Sequence, residues 1–165
     1  MDVSPEGRRV AYFRPPELEG AVTPCVVVPI EGGAPIATFT LPPQSYGLRW
    51  MPDGKGLSFI VAKEGVSNLF LQPLGGGPSR PLTRFTEGSI REFRWSPDGA
   101  RLVMSRTVGI VDNLWTVGPE GGAPAPITDF ATGSIFRLEV SRDGKRVYFL
   151  YGSESRDIVL LKDFR

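Results

Sequence analysis

Three aspartates, Asp53, Asp98 and Asp143, each stand directly before a glycine at a spacing of 45 residues. Carboxylates at a fixed spacing can act as a general acid and base pair, or as oxygen ligands for a hard cation. The rest of the chemical inventory is narrow. The chain contains no histidine and a single cysteine, Cys25. Without histidine there is no Ser-His-Asp or Cys-His nucleophilic site and no His-ligated zinc. Cys25 lies in the apolar run CVVVPI and reads as a small buried hydrophobe, and alone it forms no internal disulfide. Calcium wants six to eight oxygens, and the acids lack EF-hand spacing. No metal and no cofactor is expected. Whether the aspartates do chemistry therefore depends on the elements that hold them.

Those elements repeat. VSPEGRRVAYF, MPDGKGLSFIV, WSPDGARLVMS and SRDGKRVYFLY carry their turn glycines at Gly7, Gly54, Gly99 and Gly144, at intervals of 47, 45 and 45 residues. In WSPDGA, Pro97 presets φ for an early turn position and Asp98 can bond nearby backbone. Gly99 supplies the positive φ that other residues resist. Proline and aspartate each fail in one copy (Arg142, Glu6), whereas the glycine stands in all four. The aspartates are thus read as scaffold, and catalytic residues are expected to be none. After each turn comes a β-rich run (RVAYF, LSFIVA, RLVMS, RVYFLY), then a polar loop and a second run (CVVVPI, NLFLQPL, NLWTV, DIVLL). A glycine turn leads to a third short run, and a loop leads to the strand ahead of the next turn (YGLRW, IREFRW, IFRLEV). The 20 glycines and 16 prolines supply these reversals.

Four antiparallel strands per period of about 45 residues is the pattern of a β-propeller blade. The expected fold is all-β: about four four-stranded blades, in units of about 1–41, 42–85, 86–130 and 131–165, the first and last incomplete. Strand counts of three, four, four and three fit part of a larger ring better than a closed four-bladed one. An arc, or a homo-oligomer closing the ring, is expected. Phe59, Val61, Trp95, Val103, Tyr148 and Leu150 are read as packing between blades, and Trp50 and Trp95 as wedges.

RWSPDGARLVMS and DNLWTVGPEGGAPAPITDF resemble the TolB-type propeller repeat, a cousin of the WD repeat, and the resemblance covers essentially the whole chain. It implies a six-bladed ring and an extracytoplasmic or periplasmic setting. The segment SIFRLEVSRDGKRVYFLYGSESRDIVLLKDFR is also similar to the end of propellers fused behind bacterial serine/threonine protein kinases. That similarity implies a sensory or interaction module within a longer receptor-type kinase. The kinase signature elements themselves are not found in this sequence.

Function is sought in the loops. PPQSY, FTEGSI and FATGSI share one face with KEGVSN, TVGIVDN and GSESRD, opposite the PDG turns. This face gathers Gln44, Ser45, Tyr46, Thr86, Glu87, Ser89, Arg91, Thr132, Ser134 and Arg137 near the axis. Lys63, Asn68, Arg106, Asp112, Asn113, Arg156 and Asp157 lie farther out. Of these, Tyr46, Glu87, Ser89, Arg91, Ser134, Arg137, Arg106, Asp112, Asn113, Arg156 and Asp157 form the candidate face for a protein or peptide partner. Asn68, Asn113 and Asp157 precede equivalent apolar runs and are also positioned to cap their loops. A glycosidase or lyase would need a carboxylate pair near the axis, and only Glu87 is placed there. A peptidase-associated propeller is the alternative, although no GxSxG elbow occurs. The near-neutral charge of +1 and the lack of a basic block exclude a nucleic-acid footprint. No apolar run reaches the roughly 18–20 residues of a membrane span.

Overall fold

The computed structural model describes residues 1–14 and 22–153. Among the described residues, fourteen strands form four antiparallel sheets whose neighbouring strands follow one another in the chain. The first sheet contains β1 (Asp2–Val3), β2 (Arg9–Phe13), β3 (Thr23–Pro29) and β4 (Ala37–Leu41). The second contains β5 (Ser45–Trp50), β6 (Gly56–Lys63), β7 (Val66–Pro73) and β8 (Arg80–Pro81). The third contains β9 (Ser89–Trp95), β10 (Leu102–Val108), β11 (Val111–Gly118) and β12 (Gly121–Pro126). The fourth has two described strands, β13 (Ser134–Val140) and β14 (Val147–Gly152). These are the blades of a partial β-propeller. The first blade has a two-residue first strand, so it holds four strands rather than the expected three. The run DIVLL, read as a further strand of the last unit, lies outside the described residues.

The turns work as their chemistry dictates. Gly54, Gly99 and Gly144 donate their N–H to the carbonyls of Met51, Ser96 and Ser141, each at 2.9 Å. All three glycines lie at φ between 67° and 71°. Asp98 Oδ1 accepts from the Ala100 N–H at 3.0 Å and from the Ser96 hydroxyl at 2.5 Å. Asp143 repeats this with Lys145 and Ser141. The serine hydroxyls hold both aspartate carboxyls below their ordinary range, with the turn N–H groups adding to the effect. One oxygen of each carboxylate is engaged inside the turn, and the repeated turn accounts for the 45-residue spacing.

Each central blade buries both faces, and strand alternation assigns one face to each neighbour. In the second blade, Leu57 and Phe59 join Ala11, Cys25, Val27 and Leu41 of the first. Ile60, Leu69 and Leu71 point the other way, to Phe93, Leu102 and Met104 of the third. Val103 and Leu114 then meet Ile135 and Leu138 of the fourth. Fully burying one such side chain is worth about 1.5–3 kcal/mol, so these three seams are the fold's main source of stability. Trp50 lies in the first seam and Trp95 packs on the second. Their indole N–H groups bond the Asp2 carbonyl and the Ser58 hydroxyl.

Two expected packing residues are corrected. Tyr148 and Leu150 are 55% and 62% exposed. They alternate with Val147, which joins the seam with the third blade, so they point to the far face of the fourth sheet. Among the described residues no blade covers that face.

Cys25 is fully buried in the first seam. Desolvation pushes its thiol up from 9.0 to about 11. Native protein should therefore resist a thiol-reactive dye at neutral pH, and denaturant should release rapid, stoichiometric labelling. The folded state keeps the proton longer than the unfolded chain. Stability from this group is therefore full below pH 9 and declines as pH rises toward 11. Fast labelling of the native chain would place the first blade elsewhere.

Candidate functional site

The innermost strands carry a repeated irregularity. Along β9, Ile90 pairs with Arg106 and Glu92 with Ser105, leaving Arg91 as the extra residue. Along β13, Ile135 pairs with Tyr151 and Arg137 with Leu150, leaving Phe136 unpaired. In β5 the register slips between Tyr46 and Arg49, where Gly47 adopts a φ of 67°. A bulge re-aims the side chain at its position. Arg91 and Phe136, spaced at 45 residues, are the extra residues of their bulges; Tyr46, 45 residues before Arg91, stays paired with Ile60 and directly precedes the slip at Gly47. With Ser89, Ile90, Glu92 and Ile135 they line one open cavity of about 540 Å³.

The cavity floor is apolar and buried, and its walls are partly exposed. Ile90 and Ile135 are each 1% exposed, whereas Tyr46 and Phe136 are 37% and 46% exposed. The Tyr46 hydroxyl donates to the Ile90 carbonyl at 2.9 Å, which fixes the ring across the junction between the second and third blades. Arg91 is half exposed, and its Nε lies 3.1 Å from Thr107 Oγ1 and 3.3 Å from Asp112 Oδ2.

Asp112 departs from its expected role. It is fully buried, because its carboxylate is the joint between the third and fourth blades. It accepts from the Thr107 hydroxyl at 2.5 Å and from the Ile135 N–H at 2.8 Å, and its own N–H bonds the Gly133 carbonyl. Ser67, 45 residues earlier, does the same one blade back. Its hydroxyl accepts the Ile90 N–H at 2.5 Å and its N–H bonds the Gly88 carbonyl. The aspartate exceeds the serine by two interactions, the Thr107 hydroxyl bond and the grip on Arg91.

Arg106 is likewise withdrawn from the face. It is 6% exposed, with its guanidinium 4.1 Å from the Phe85 ring centroid and 5.2 Å from that of Trp115. One of its nitrogens donates to the Glu87 carbonyl at 2.9 Å. Burial lowers its pKa below the ordinary value, opposed by the Glu87 charge. Asn113 is used in a loop cap. Its side-chain oxygen accepts from the Thr128 hydroxyl and the Phe130 N–H, and its amide donates to the Phe130 carbonyl. Asn68 makes the same three bonds with Thr83 and Phe85. A surface role for Arg106, Asp112 and Asn113 is therefore corrected to positioning the loops and the strand ends.

Among the remaining expected residues, Tyr46, Ser89 and Arg91 reach the cavity. Glu87 supplies its backbone carbonyl to Arg106, and Ser134 opens β13 beside the cavity without lining it. Arg137 is largely exposed and pairs with Glu139 at 3.2 Å. Arg156 and Asp157 lie outside the described residues. Phe136, Glu92, Thr107 and Ser67 were not singled out from the sequence, although adding 45 to Arg91 gives Phe136. Glu92 lines the cavity but is engaged elsewhere, accepting from the Leu138 N–H and lying 3.2 Å from Arg94. Among the described residues no group of three or more acids and cysteines is placed to hold a metal ion. Among the described residues no helix is long and apolar enough to cross a membrane.

No protein-family model matches the chain, and no curated protein matches it either. Solved structures do. A protein assigned as TolB from Agrobacterium tumefaciens is 26% identical with a TM-score of 0.77, over 92% of this chain and 53% of that one. A prolyl endopeptidase is 17% identical with a TM-score of 0.68, over 90% of this chain and 24% of its own. The tricorn protease is 16% identical with a TM-score of 0.68, over 94% of this chain and 16% of its own. The chain thus spans about half the length of the TolB structure and a smaller part of the two peptidases. Repeat, blade order and structural likeness agree: the chain is a TolB-like β-propeller segment.

Proposed function

We propose that this chain is a noncatalytic module that binds a protein or peptide on the face where the inner strands begin. One observation carries the reading. Positions 46, 91 and 136, at or directly before the irregularities of the inner strands, hold Tyr, Arg and Phe, three different side chains that line one cavity. The adjacent joints repeat from blade to blade, as Asn68 and Asn113 do. A scaffold that repeats while its rim differs presents a distinct surface on a fixed ring. Exposed aromatics beside an arginine are also the side chains that dominate protein interfaces. Membership of a longer protein, such as a receptor-type serine/threonine kinase with an extracytoplasmic propeller, belongs to this proposal. The structural likeness to prolyl endopeptidase and tricorn protease favours one alternative, a propeller that accompanies a peptidase domain.

The test is paired affinity capture with the wild-type chain and a Tyr46→Ala/Phe136→Ala variant. Both side chains are partly exposed, so the variant should keep the wild-type unfolding midpoint to within about 1 kcal/mol. The partner retained by the wild type should be lost from the variant. Equal retention by a folded variant would move the binding surface away from this face.

A further inference from the structure

We propose that the Arg91 side of the cavity is a carboxylate fork, built to take a peptide-borne carboxylate beside an aromatic or large aliphatic side chain. This rests on the binding-face reading and specifies its ligand chemistry. The first support is the way Arg91 is held. Its Nε faces Thr107 Oγ1 and Asp112 Oδ2, and Asp112 is itself fixed by the Thr107 hydroxyl and the Ile135 N–H. One edge of the planar guanidinium is therefore set by a buried group. The two terminal nitrogens have no hydrogen-bond partner among the described residues, and the side chain is half exposed at the cavity. A guanidinium with one edge anchored offers its remaining N–H groups as a preorganised pair, which matches the two oxygens of a carboxylate. Less side-chain freedom is then lost on binding.

Charge points the same way. Asp112 balances Arg91 from beneath and has no exposed surface. Glu92, the acid on the cavity wall, is turned toward Leu138 and Arg94. The cationic edge is thus the charge that faces the opening. A single fork suits a monoanion better than a phosphate dianion, which recruits several donors. Tyr46 and Phe136 supply aromatic walls above Ile90 and Ile135, so the carboxylate should arrive with an apolar neighbour.

The experiment titrates the ¹⁵N-labelled 165-residue chain with three probes and follows its NMR spectrum. The probes are N-acetyl-phenylalanine, its C-terminal amide, and N-acetyl-aspartyl-phenylalaninamide. The free acid should shift the Arg91 Nε–H signal and the Ile90 and Ile135 amides, and bind about tenfold or more tightly than the amide. Arg91→Gln should abolish that preference while weak binding of the amide persists. Arg91→Lys, which keeps the charge but loses the fork, should fall between the two. The spectrum of each variant reports its fold directly. If the aspartyl peptide binds like the free acid, the site reads an acidic side chain; if only the free acid binds, it reads a chain terminus. Either result supports the fork. Equal binding of acid and amide at the cavity, or an acid preference that survives in Arg91→Gln, overturns the fork and leaves the binding face standing. Shifts from all three probes confined to other surfaces overturn both.

Discussion

Replacing Asp112 with alanine should cost about 3–5 kcal/mol of unfolding free energy, read as a shift in urea midpoint at unchanged slope. The carboxylate is fully buried and serves three partners: the Thr107 hydroxyl, the Ile135 N–H and the Arg91 guanidinium. Alanine leaves the buried Ile135 N–H and the partly buried Thr107 hydroxyl without their acceptor, and an orphaned buried group costs about 1–3 kcal/mol. The Arg91 contribution is smaller, because that side chain is half exposed and water screens it. Asp112→Ser should recover most of the loss. Ser67, at the equivalent place one blade back, already accepts the Ile90 N–H through its hydroxyl. The holds on Arg91 and on the Thr107 hydroxyl, which Ser67 lacks, should stay broken, so Asp112→Ser separates the link to the next blade from the service to the cavity. If alanine and serine were equally destabilising, or neither had an effect, Asp112 would not be the interblade joint.

The second large effect is expected at Gly88, two residues before Ile90. It lies at φ +72°, and a Cβ built there would sit 2.3 Å from the Thr107 carbonyl oxygen. A left-handed non-glycine residue alone costs about 1–2 kcal/mol. Here backbone must also move, at the strand that holds Asp112's partner Thr107 and beside the carbonyl that receives the Ser67 N–H. Gly88→Ala should therefore lose more than about 2 kcal/mol and displace Arg91 from the cavity. Gly65→Ala is the control. Gly65 has a similar φ of +80° but open space around it, so it should show only the conformational cost. Thermal or urea unfolding of both variants decides the matter, and equal losses would mean that the close approach to Thr107 is not there.

The fold was legible because it is written in turn chemistry. Gly54, Gly99 and Gly144 need a positive φ wherever they fall, so a period of 45 survives variation around them. The amide caps were legible for the same local reason: Asn68 and Asn113 each precede an apolar run and each bond the loop 17 residues on. The site was less so. The position of Arg91, Tyr46 and Ser89 in or beside the loops places them on one face, where they line the cavity. Phe136 was missed, because its exposure comes from a bulge and a bulge is a property of two paired strands, visible in neither alone. Asp112 misled for a related reason. A charged residue near a loop reads as exposed until the Ile135 N–H of the next blade is placed against it. Tyr148 and Leu150 failed because sequence alternation shows which residues share a face, but not whether another blade lies beyond it.

We propose that partner recognition takes place where the inner strands begin, around the register irregularities of successive blades. Hydrogen exchange of this chain, free and bound to the partner obtained by affinity capture, tests it most directly. Protection on binding is expected at residues 45–47, 89–92 and 134–137, with the aspartate-glycine turns at 51–54, 96–99 and 141–144 unchanged. Protection confined to those turns, on the opposite face, would contradict it.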